Sequence, residues 1–187
     1  MKTIILTGLL LITSLCEQPL PEHPSLQVQM QDALPIPHDI PNLLFYLQRD
    51  WDANTICYTL NLGKSGELNI NNPIKMFWVM YAEKGGHKEL NFLQKRYAYG
   101  INVYPQGKDS YEIKTVSYPS RSLFLRKNID NQFQVFTNIN NKHCTLKRIF
   151  IHIDGGTPLS PHVKYIELHG TELTTRKPTV ETVEVSR

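Results

Sequence analysis

The chain between Leu43 and Leu62 alternates apolar and polar side chains in the manner of two neighbouring strands. The runs Leu43 to Arg49 and Thr55 to Leu62 are strand-like, and residues 50–54 between them are rich in Asp and Asn, which favour turns. In the second run the even-numbered side chains, beginning with Ile56, are all large and apolar. Because successive side chains of a strand point to opposite faces, this pattern predicts a half-buried hairpin.

A further run, Ile74 to Tyr81, is apolar on both faces and predicts a central strand that is covered on both sides. The chain beyond it again shows short strand-like runs, separated by turns that contain Gly, Pro, Asn or Asp. These runs are 101–104, 111–118, 122–127, 132–139, 143–153 and 163–169. Short strands joined by tight turns favour antiparallel neighbours, and a single helical segment argues against repeating βαβ units. The predicted fold class is therefore mainly β, an antiparallel β-barrel or β-sandwich.

One segment departs from the strand pattern. Leu90, Leu93 and Tyr97 recur at helical spacing, and Gly100 is a favourable residue for ending a helix. This spacing predicts one amphipathic helix over about residues 87–99, with the three apolar side chains on its buried face.

Composition divides the chain into four parts. Residues 1–16 carry an early Lys and a short apolar run, which predicts a signal peptide or a lipoprotein signal. Residues 17–41 contain six prolines without apolar periodicity, as an extended Pro-rich linker does. Residues 42–171 are predicted to form a single β-rich domain. The Thr- and Glu-rich residues 172–187 are predicted to form a flexible C-terminal tail.

The first residues favour export. The apolar run 4–12 is too short to cross a bilayer as a helix and lies where the apolar part of a signal peptide lies. Cys16 is a candidate lipidation site, although Thr13 to Leu15 match a lipoprotein signal imperfectly. The expected location is therefore exported, as a periplasmic or outer-membrane lipoprotein or, alternatively, as a secreted protein.

The distribution of charge narrows the classes of partner. The 187 residues include 20 basic and 17 acidic side chains, a net charge of +3 that is spread along the chain without a dense basic block. A nucleic-acid partner is therefore disfavoured.

Cys57 and Cys144 are expected to be separate small apolar residues that are not bonded to each other, because a chain of this length can build a core without a disulfide.

Five short sequence segments resemble the corresponding segments of a known family. They are Ile40 to Asp50, Tyr81 to Gly86, Tyr97 to Gly100, Leu146 to Phe150 and Tyr165 to Leu168. The family that they resemble is an uncharacterised domain of unknown function in exported bacterial envelope proteins, and the likeness covers roughly residues 40–170. The resemblance implies export and a single domain, and it carries no catalytic residue with it.

A cationic cleft is the first candidate site. Lys95 and Arg96 on the predicted helix, Arg148 within an otherwise apolar strand, and Glu83 before a Gly pair could converge on an anionic ligand group. The alternative is a structural ion-pair network in which Arg148 binds Glu83 or Glu167, since a buried guanidinium needs acceptors.

Aromatic side chains are the second candidate. Tyr97 and Tyr99, with Tyr81 and Trp78, could line a pocket for a sugar or a lipid, because aromatic faces bind apolar ligand surfaces and hydroxyl groups supply hydrogen bonds. The alternative is that these residues belong to the core, where packing alone explains them.

The sequence contains candidate metal ligands but does not predict a metal site. His152 and Asp154 share a strand face, and His162, Glu167 and His169 follow on or before the next strand. If Ile153 opposes Val163, Asp154 meets His162 while Glu167 and His169 fall on the opposite face, so that the ligand set is broken up. No cofactor is predicted.

The leading functional hypothesis is an exported β-rich binding or interaction domain of the cell envelope. Its partner is expected to be a small ligand or an envelope protein, with the membrane reached only through an N-terminal lipid anchor. The alternative is a cell-envelope hydrolase whose site is assembled from distant strands. The sequence contains no Gly-x-Ser-x-Gly elbow, Walker loop, dinucleotide fingerprint or His-Glu-x-x-His motif, which favours the binding hypothesis.

Overall fold

A computed structural model describes residues 34–50, 52–157 and 160–185. The predicted signal segment, Cys16 and the linker up to residue 33 lie outside the described residues. The strands are β1 (Leu43–Arg49), β2 (Asp52–Leu60), β3 (Ile74–Met80), β4 (Gly86–Glu89), β5 (Ile101–Gly107), β6 (Ser110–Thr115), β7 (Leu123–Lys127), β8 (Phe133–Ile139), β9 (Lys142–Thr157), β10 (Ser160–Glu172) and β11 (Pro178–Glu184). A 3-10 turn (Tyr81–Glu83) follows β3, and α1 (Phe92–Gln94) continues as a π-helical turn (Lys95–Tyr99).

All eleven described strands belong to one sheet. Its main order is β4-β3-β2-β1-β9-β8-β7-β6-β5, with β10 on β9 and β11 on β10. Every pair is antiparallel except β1 with β9, which is parallel. The sheet curls into a half-barrel, so the predicted mainly antiparallel β fold is confirmed.

The core lies on one face of the curled sheet. In β2, Ile56 and Tyr58 point into this core, whereas Cys57 lies between them on the other face. Cys57 and Cys144 are both free and buried, as predicted. The largest fully buried apolar side chains are Phe45, Ile56, Tyr58, Ile74, Ile113, Leu123, Leu125, Ile139, Leu146, Phe150 and Leu168.

The predicted helix over residues 87–99 begins later than its apolar spacing suggested. The side chain of Asn91 accepts a hydrogen bond from the backbone N–H of Gln94, and the side chain of Gln94 accepts one from Asn91 N–H, which fixes the start of α1 at residue 92. Residues 86–89 instead form the edge strand β4. Leu93 and Tyr97, predicted to be buried, are exposed, because the late start and the wide π turn rotate them away from the sheet.

The prediction of a flexible C-terminal tail is wrong for the described residues 178–184. These residues form β11, which pairs with β10 from Thr171 opposite Pro178 to Tyr165 opposite Glu184. Glu181 anchors the strand through an ion pair with Arg121 at 2.5 Å. Composition alone suggested a tail, but Thr and Val favour strands when an unpaired edge is present.

The last part of the predicted linker, residues 34–41, contacts the domain. The side-chain Nε2 of Gln48 donates a hydrogen bond to the backbone carbonyl of Pro35 at 2.7 Å, and Pro37 is buried. This part of the segment is therefore attached to the sheet and is not a free tether.

Candidate functional site

The residues of the predicted cationic cleft lie on different parts of the structure. Glu83 is exposed at the end of the 3-10 turn. Lys95 and Arg96 begin the π turn, where Lys95 forms a 3.8 Å ion pair with Glu89 on the edge strand β4. Arg148 lies near the middle of β9, opposite Tyr46 on β1.

Arg148 is largely buried, in agreement with its apolar sequence context: the residue has intermediate exposure, and Nε and Nη2 of its guanidinium are inaccessible to solvent. Its guanidinium lies over the ring of Phe150, at 4.9 Å from the ring centroid. Burial raises the pKa of the neighbouring Tyr46, and the positive charge of Arg148 partly opposes that rise. That Glu83 or Glu167 holds the guanidinium stays a prediction.

A β-bulge decides which way Arg148 points. Across β9 and β10, His169 is level with Arg148 and Gly170 is level with Leu146, so Lys147 is the extra residue. The bulge therefore places Arg148 on the face opposite the core, although strict alternation from Leu146 predicts that the two side chains share a face.

Tyr99 belongs to the core and does not share a site with Arg148. Its ring is 8% exposed and meets Trp78 edge to face at a centroid distance of 5.3 Å. Its backbone carbonyl accepts a hydrogen bond from the hydroxyl of Tyr58 at 2.8 Å. Burial raises the pKa of Tyr99, and Arg49 nearby partly opposes the rise. The core interpretation of Tyr99 and Trp78 is therefore the right one.

Three histidines of β9 and β10 each pair with a carboxylate. Asp154 contacts His162, and Glu167 binds His169 at 2.8 Å. Ile153 pairs with Val163, which is the register that breaks up the candidate ligand set. In residues 34–50, 52–157 and 160–185, no group of three or more His, Cys, Asp or Glu side chains is placed to hold a metal ion.

His152 forms the third pair, with Asp50 from the end of β1. The carboxylate of Asp50 also accepts a hydrogen bond from the backbone N–H of Ile153 at 3.1 Å. The imidazole is 3% exposed and is stacked on Tyr165 at a centroid distance of 4.5 Å. A general base must reach the proton that it removes, so the burial of His152 favours a structural role for the His152–Asp50 pair. In this role Asp50 continues the β1–β9 pairing beyond the end of β1.

A cleft forms where β9 changes partner along one edge. β10 occupies the other edge of β9 throughout, so β8 and β1 must share the edge opposite it. On the shared edge, β8 pairs as far as Phe136 opposite Thr145, and β1 begins at Tyr46 opposite Arg148. The first residues of both strands, 133–135 and 43–45, extend past this point and diverge, because they cannot occupy the same edge.

The two diverging strand ends form the walls of an open groove of about 600 Å³. Its apolar lining comes mainly from leucine side chains and one aromatic ring. Its polar lining comes from amide side chains, two lysines, two carboxylates and a threonine. The residues that line it are Asn42, Leu43, Leu44, Leu60, Leu62, Gly66, Glu67, Leu68, Asp109, Lys127, Asn131, Gln132, Phe133, Gln134, Thr145 and Lys147.

Charged side chains lie on opposite walls of the groove. Lys127 forms a 2.9 Å ion pair with Asp109 and lies 5.2 Å from the ring centroid of Phe133. Lys147, the bulged residue, is exposed, and it pairs with no acidic side chain among the residues that the structure describes. A hydrogen bond from the hydroxyl of Ser65 lowers the pKa of Glu67, a carboxyl group whose ordinary pKa already leaves it ionised at neutral pH.

Sequence reasoning did not find this groove. Its leucines belong to strands or loops that the alternation pattern assigns to packing. Asn131 lies in a predicted turn, whereas Gln132 and Gln134 lie in the predicted strand 132–139, where polar side chains are expected on the solvent face. No local pattern brings the two strand ends together, since residues 43–45 and 133–135 are separated by most of the domain.

Comparison with known proteins identifies a family without an assigned activity. The model of DUF4833, a domain of unknown function, matches residues 45–182. No curated protein and no solved structure matches the chain. Among the described helices, none has the length and apolarity that crossing a membrane requires.

Proposed function

The chain belongs to DUF4833, a family of domains of unknown function, so its activity must be inferred from its own surface. We propose that it is a non-catalytic binding domain for an extended polypeptide segment. The groove between β1 and β8 is the binding site in this proposal. The partner is an exported or envelope protein, in keeping with the signal segment expected at residues 1–16.

The observation that carries the proposal is the pair of diverging strand edges. Within the described residues, β1 pairs with β9 only from Tyr46 onward, and β8 pairs with β9 only from Phe136 onward. The backbone of residues 43–45 and 133–135 therefore presents strand edges toward the groove. Unpaired strand edges offer N–H and C=O groups that an extended peptide can satisfy by adding a strand.

The side chains around the edges match such a ligand. Leu43, Leu60 and Phe133 supply apolar area for alternate side chains of a bound strand. Gln132 and Gln134 carry both a donor and an acceptor, as a peptide group does.

The two loops beside the groove each expose an isoleucine. Ile70 is 68% exposed and follows the loop residues that line the groove, and Ile129 is 91% exposed in the turn between β7 and β8. Exposed apolar residues that are grouped around a cleft are typical of an interaction surface. They would extend the contact of a bound segment beyond the strand edges.

A peptide selection tests the proposal. The purified full chain is used to select binders from a library of extended heptapeptides, and the affinity of the best binder is measured by fluorescence anisotropy. Lys147→Glu reverses a charge inside the groove, whereas Lys164→Glu makes the same change at an exposed position of β10 outside it. We expect the groove variant to change the affinity at least about fivefold, since one close charge is worth about 1 kcal/mol, and the control variant to leave it unchanged.

Amide hydrogen exchange supplies the direct measurement. A bound strand should slow exchange in residues 43–45 and 133–135, because its carbonyl groups accept bonds from those edges. If no peptide is recovered, or if the protected amides lie elsewhere, the groove is not a strand-addition site.

Mass spectrometry of the mature protein tests the exported location separately. Loss of about the first 15 residues supports export, and a diacylated Cys16 supports the anchored form. An intact Met1 on the protein from its native cells would contradict the exported location without affecting the binding proposal.

A further inference from the structure

The helical segment carries a contiguous surface of exposed apolar and basic side chains, Phe92, Leu93, Arg96 and Tyr97, here called the helix surface. Phe92 is 69% exposed, Leu93 is 59% exposed and Tyr97 is 67% exposed. Their positions one turn apart put all four side chains on one side of the segment. Exposed large apolar residues are normal singly, but a group of three within six residues indicates an interaction surface.

The arginine of the helix surface links its aromatic members. The Arg96 guanidinium lies 5.8 Å from the ring centroid of Phe92 and 5.5 Å from that of Tyr97. The three side chains therefore form one cluster, in which the positive charge lies beside two exposed rings.

The other side of the helical segment is already used for packing. Trp78 Nε1 donates to Gln94 Oε1 at 3.4 Å, Tyr99 packs edge to face on Trp78, and Ala98 packs on the core. Gly100 ends the segment so close to the Lys95 carbonyl that a Cβ atom there would collide with it. The helix surface is therefore held outward by a buried attachment.

Basic residues surround the helix surface. Lys88 is exposed on β4 opposite Trp78, and thus on the face that the helical segment covers. Lys95 follows at the edge, where it shares Glu89 with Lys75 at 3.8 Å and 3.5 Å. With Arg96, these residues leave the neighbourhood of the helix surface positively charged.

We propose that the helix surface docks on an anionic phospholipid bilayer. Aromatic and leucine side chains flanked by Lys and Arg are the composition of segments that lie at a bilayer interface, where rings enter the headgroup boundary and ammonium groups reach the lipid phosphates. Protein interfaces, in contrast, are depleted in lysine. The bilayer contact is independent of the groove, which lies at other strands.

Vesicle partitioning is the first experiment. The full chain and its variants are sedimented with phosphatidylcholine vesicles that contain or lack phosphatidylglycerol. We expect Phe92→Ser to lower the partition coefficient about tenfold, since one phenylalanine leaves the interface. Val180→Ser removes an exposed apolar residue from β11, outside both the helix surface and the groove, and should leave the partition coefficient unchanged.

The charge is tested in the same assay. Arg96→Gln should lower partitioning about fivefold on anionic vesicles and little on neutral ones, because the contribution of one basic residue requires anionic lipid. Lys164→Gln is the matched control away from the helix surface. The apolar run at residues 4–12 could bind vesicles by itself, so the ratio between variants is the measured quantity.

A fluorescent residue locates the contact directly. In Phe92→Trp, brominated lipid acyl chains should quench the added fluorescence, whereas in Val180→Trp they should not. Equal partitioning of Phe92→Ser and the wild type would overturn the proposal. So would a dimer in light scattering that Phe92→Ser dissociates, since the helix surface would then bind a second copy of the chain.

Discussion

Replacing Tyr58 by phenylalanine removes one buried hydroxyl group and leaves its aromatic ring in place. Tyr58 is fully buried, and its ring stacks on Phe45 at a centroid distance of 4.3 Å. The hydroxyl donates to the carbonyl of Tyr99 at 2.8 Å, which links β2 to the end of the π turn. The substitution therefore tests one hydrogen bond that fastens the helical segment to the sheet.

The expected cost follows from the burial of both partners. A hydrogen bond contributes about 1 kcal/mol net, and a buried carbonyl left without its donor adds a desolvation cost, so Tyr58→Phe should lower the free energy of unfolding by about 1–3 kcal/mol. For a domain of this size, each kcal/mol corresponds to about 2–4 °C in Tm. Urea unfolding followed by circular dichroism measures the change.

The control is Tyr104→Phe, which makes the same chemical change at a residue that is 47% exposed. It should alter the stability by less than about 0.5 kcal/mol, as is usual for surface substitutions. Amide exchange in residues 95–101 should also become faster in Tyr58→Phe than in the control, because the end of the π turn loses its attachment. Equal urea midpoints and equal exchange in the two variants would refute the inference that this hydrogen bond holds the segment.

Three further predictions concern the thiols and a glycine. Cys57 and Cys144 should react with a thiol reagent at least about 100-fold more slowly in the native protein than after unfolding, because both side chains are buried; comparable rates would contradict their burial. Burial raises the pKa of the Cys57 thiol to about 12, because the folded protein disfavours the thiolate. The protonated thiol therefore contributes its full stability below the pKa of an unfolded thiol, and this contribution declines as the pH rises towards 12. The difference in urea midpoint between the wild type and Cys57→Ala should therefore shrink above about pH 9, and a constant difference would count against the raised pKa. Gly170→Ala should lower the free energy of unfolding by about 1–3 kcal/mol, because its Cβ would lie 2.7 Å from the Thr145 carbonyl oxygen, whereas Gly86→Ala has open space and serves as the control in the same urea assay.

Local alternation was sufficient to predict most of the strands, but it missed β4 and β11. The β1–β2 hairpin and the apolar strand β3 both follow from patterns within a few residues, although β3 lies next to the edge strand β4 and not at the centre of the sheet. The helix was harder, since the apolar spacing that begins at Leu90 extends across the boundary between β4 and α1. The reciprocal hydrogen bonds of Asn91 and Gln94 set the start of the helix, and this capping pair was present in the sequence as a signal.

The candidate site depends on a deviation from alternation that the sequence does not mark. The bulge at Lys147 reverses which residues of β9 face the core, so Leu146 and Ile149 both point inward while Arg148 points away. Alternation carried across residue 147 therefore places Arg148 on the wrong face. Tyr99 is separated from Arg148 for a different reason, because it belongs to the π turn and packs on Trp78 in the core.

The same part of β9 creates the groove by a different physical cause. β1 and β9 form the only parallel pair in the described sheet, and β1 begins to pair with β9 where β8 stops. Two strand ends are then directed at one edge, and only one of them can pair there. The opening is thus a property of backbone topology, and the side chains around it determine which segment fits. Substitutions at Gln132 or Lys147 should consequently change the preferred peptide sequence, while the capacity to accept a strand persists as long as β1 and β8 diverge.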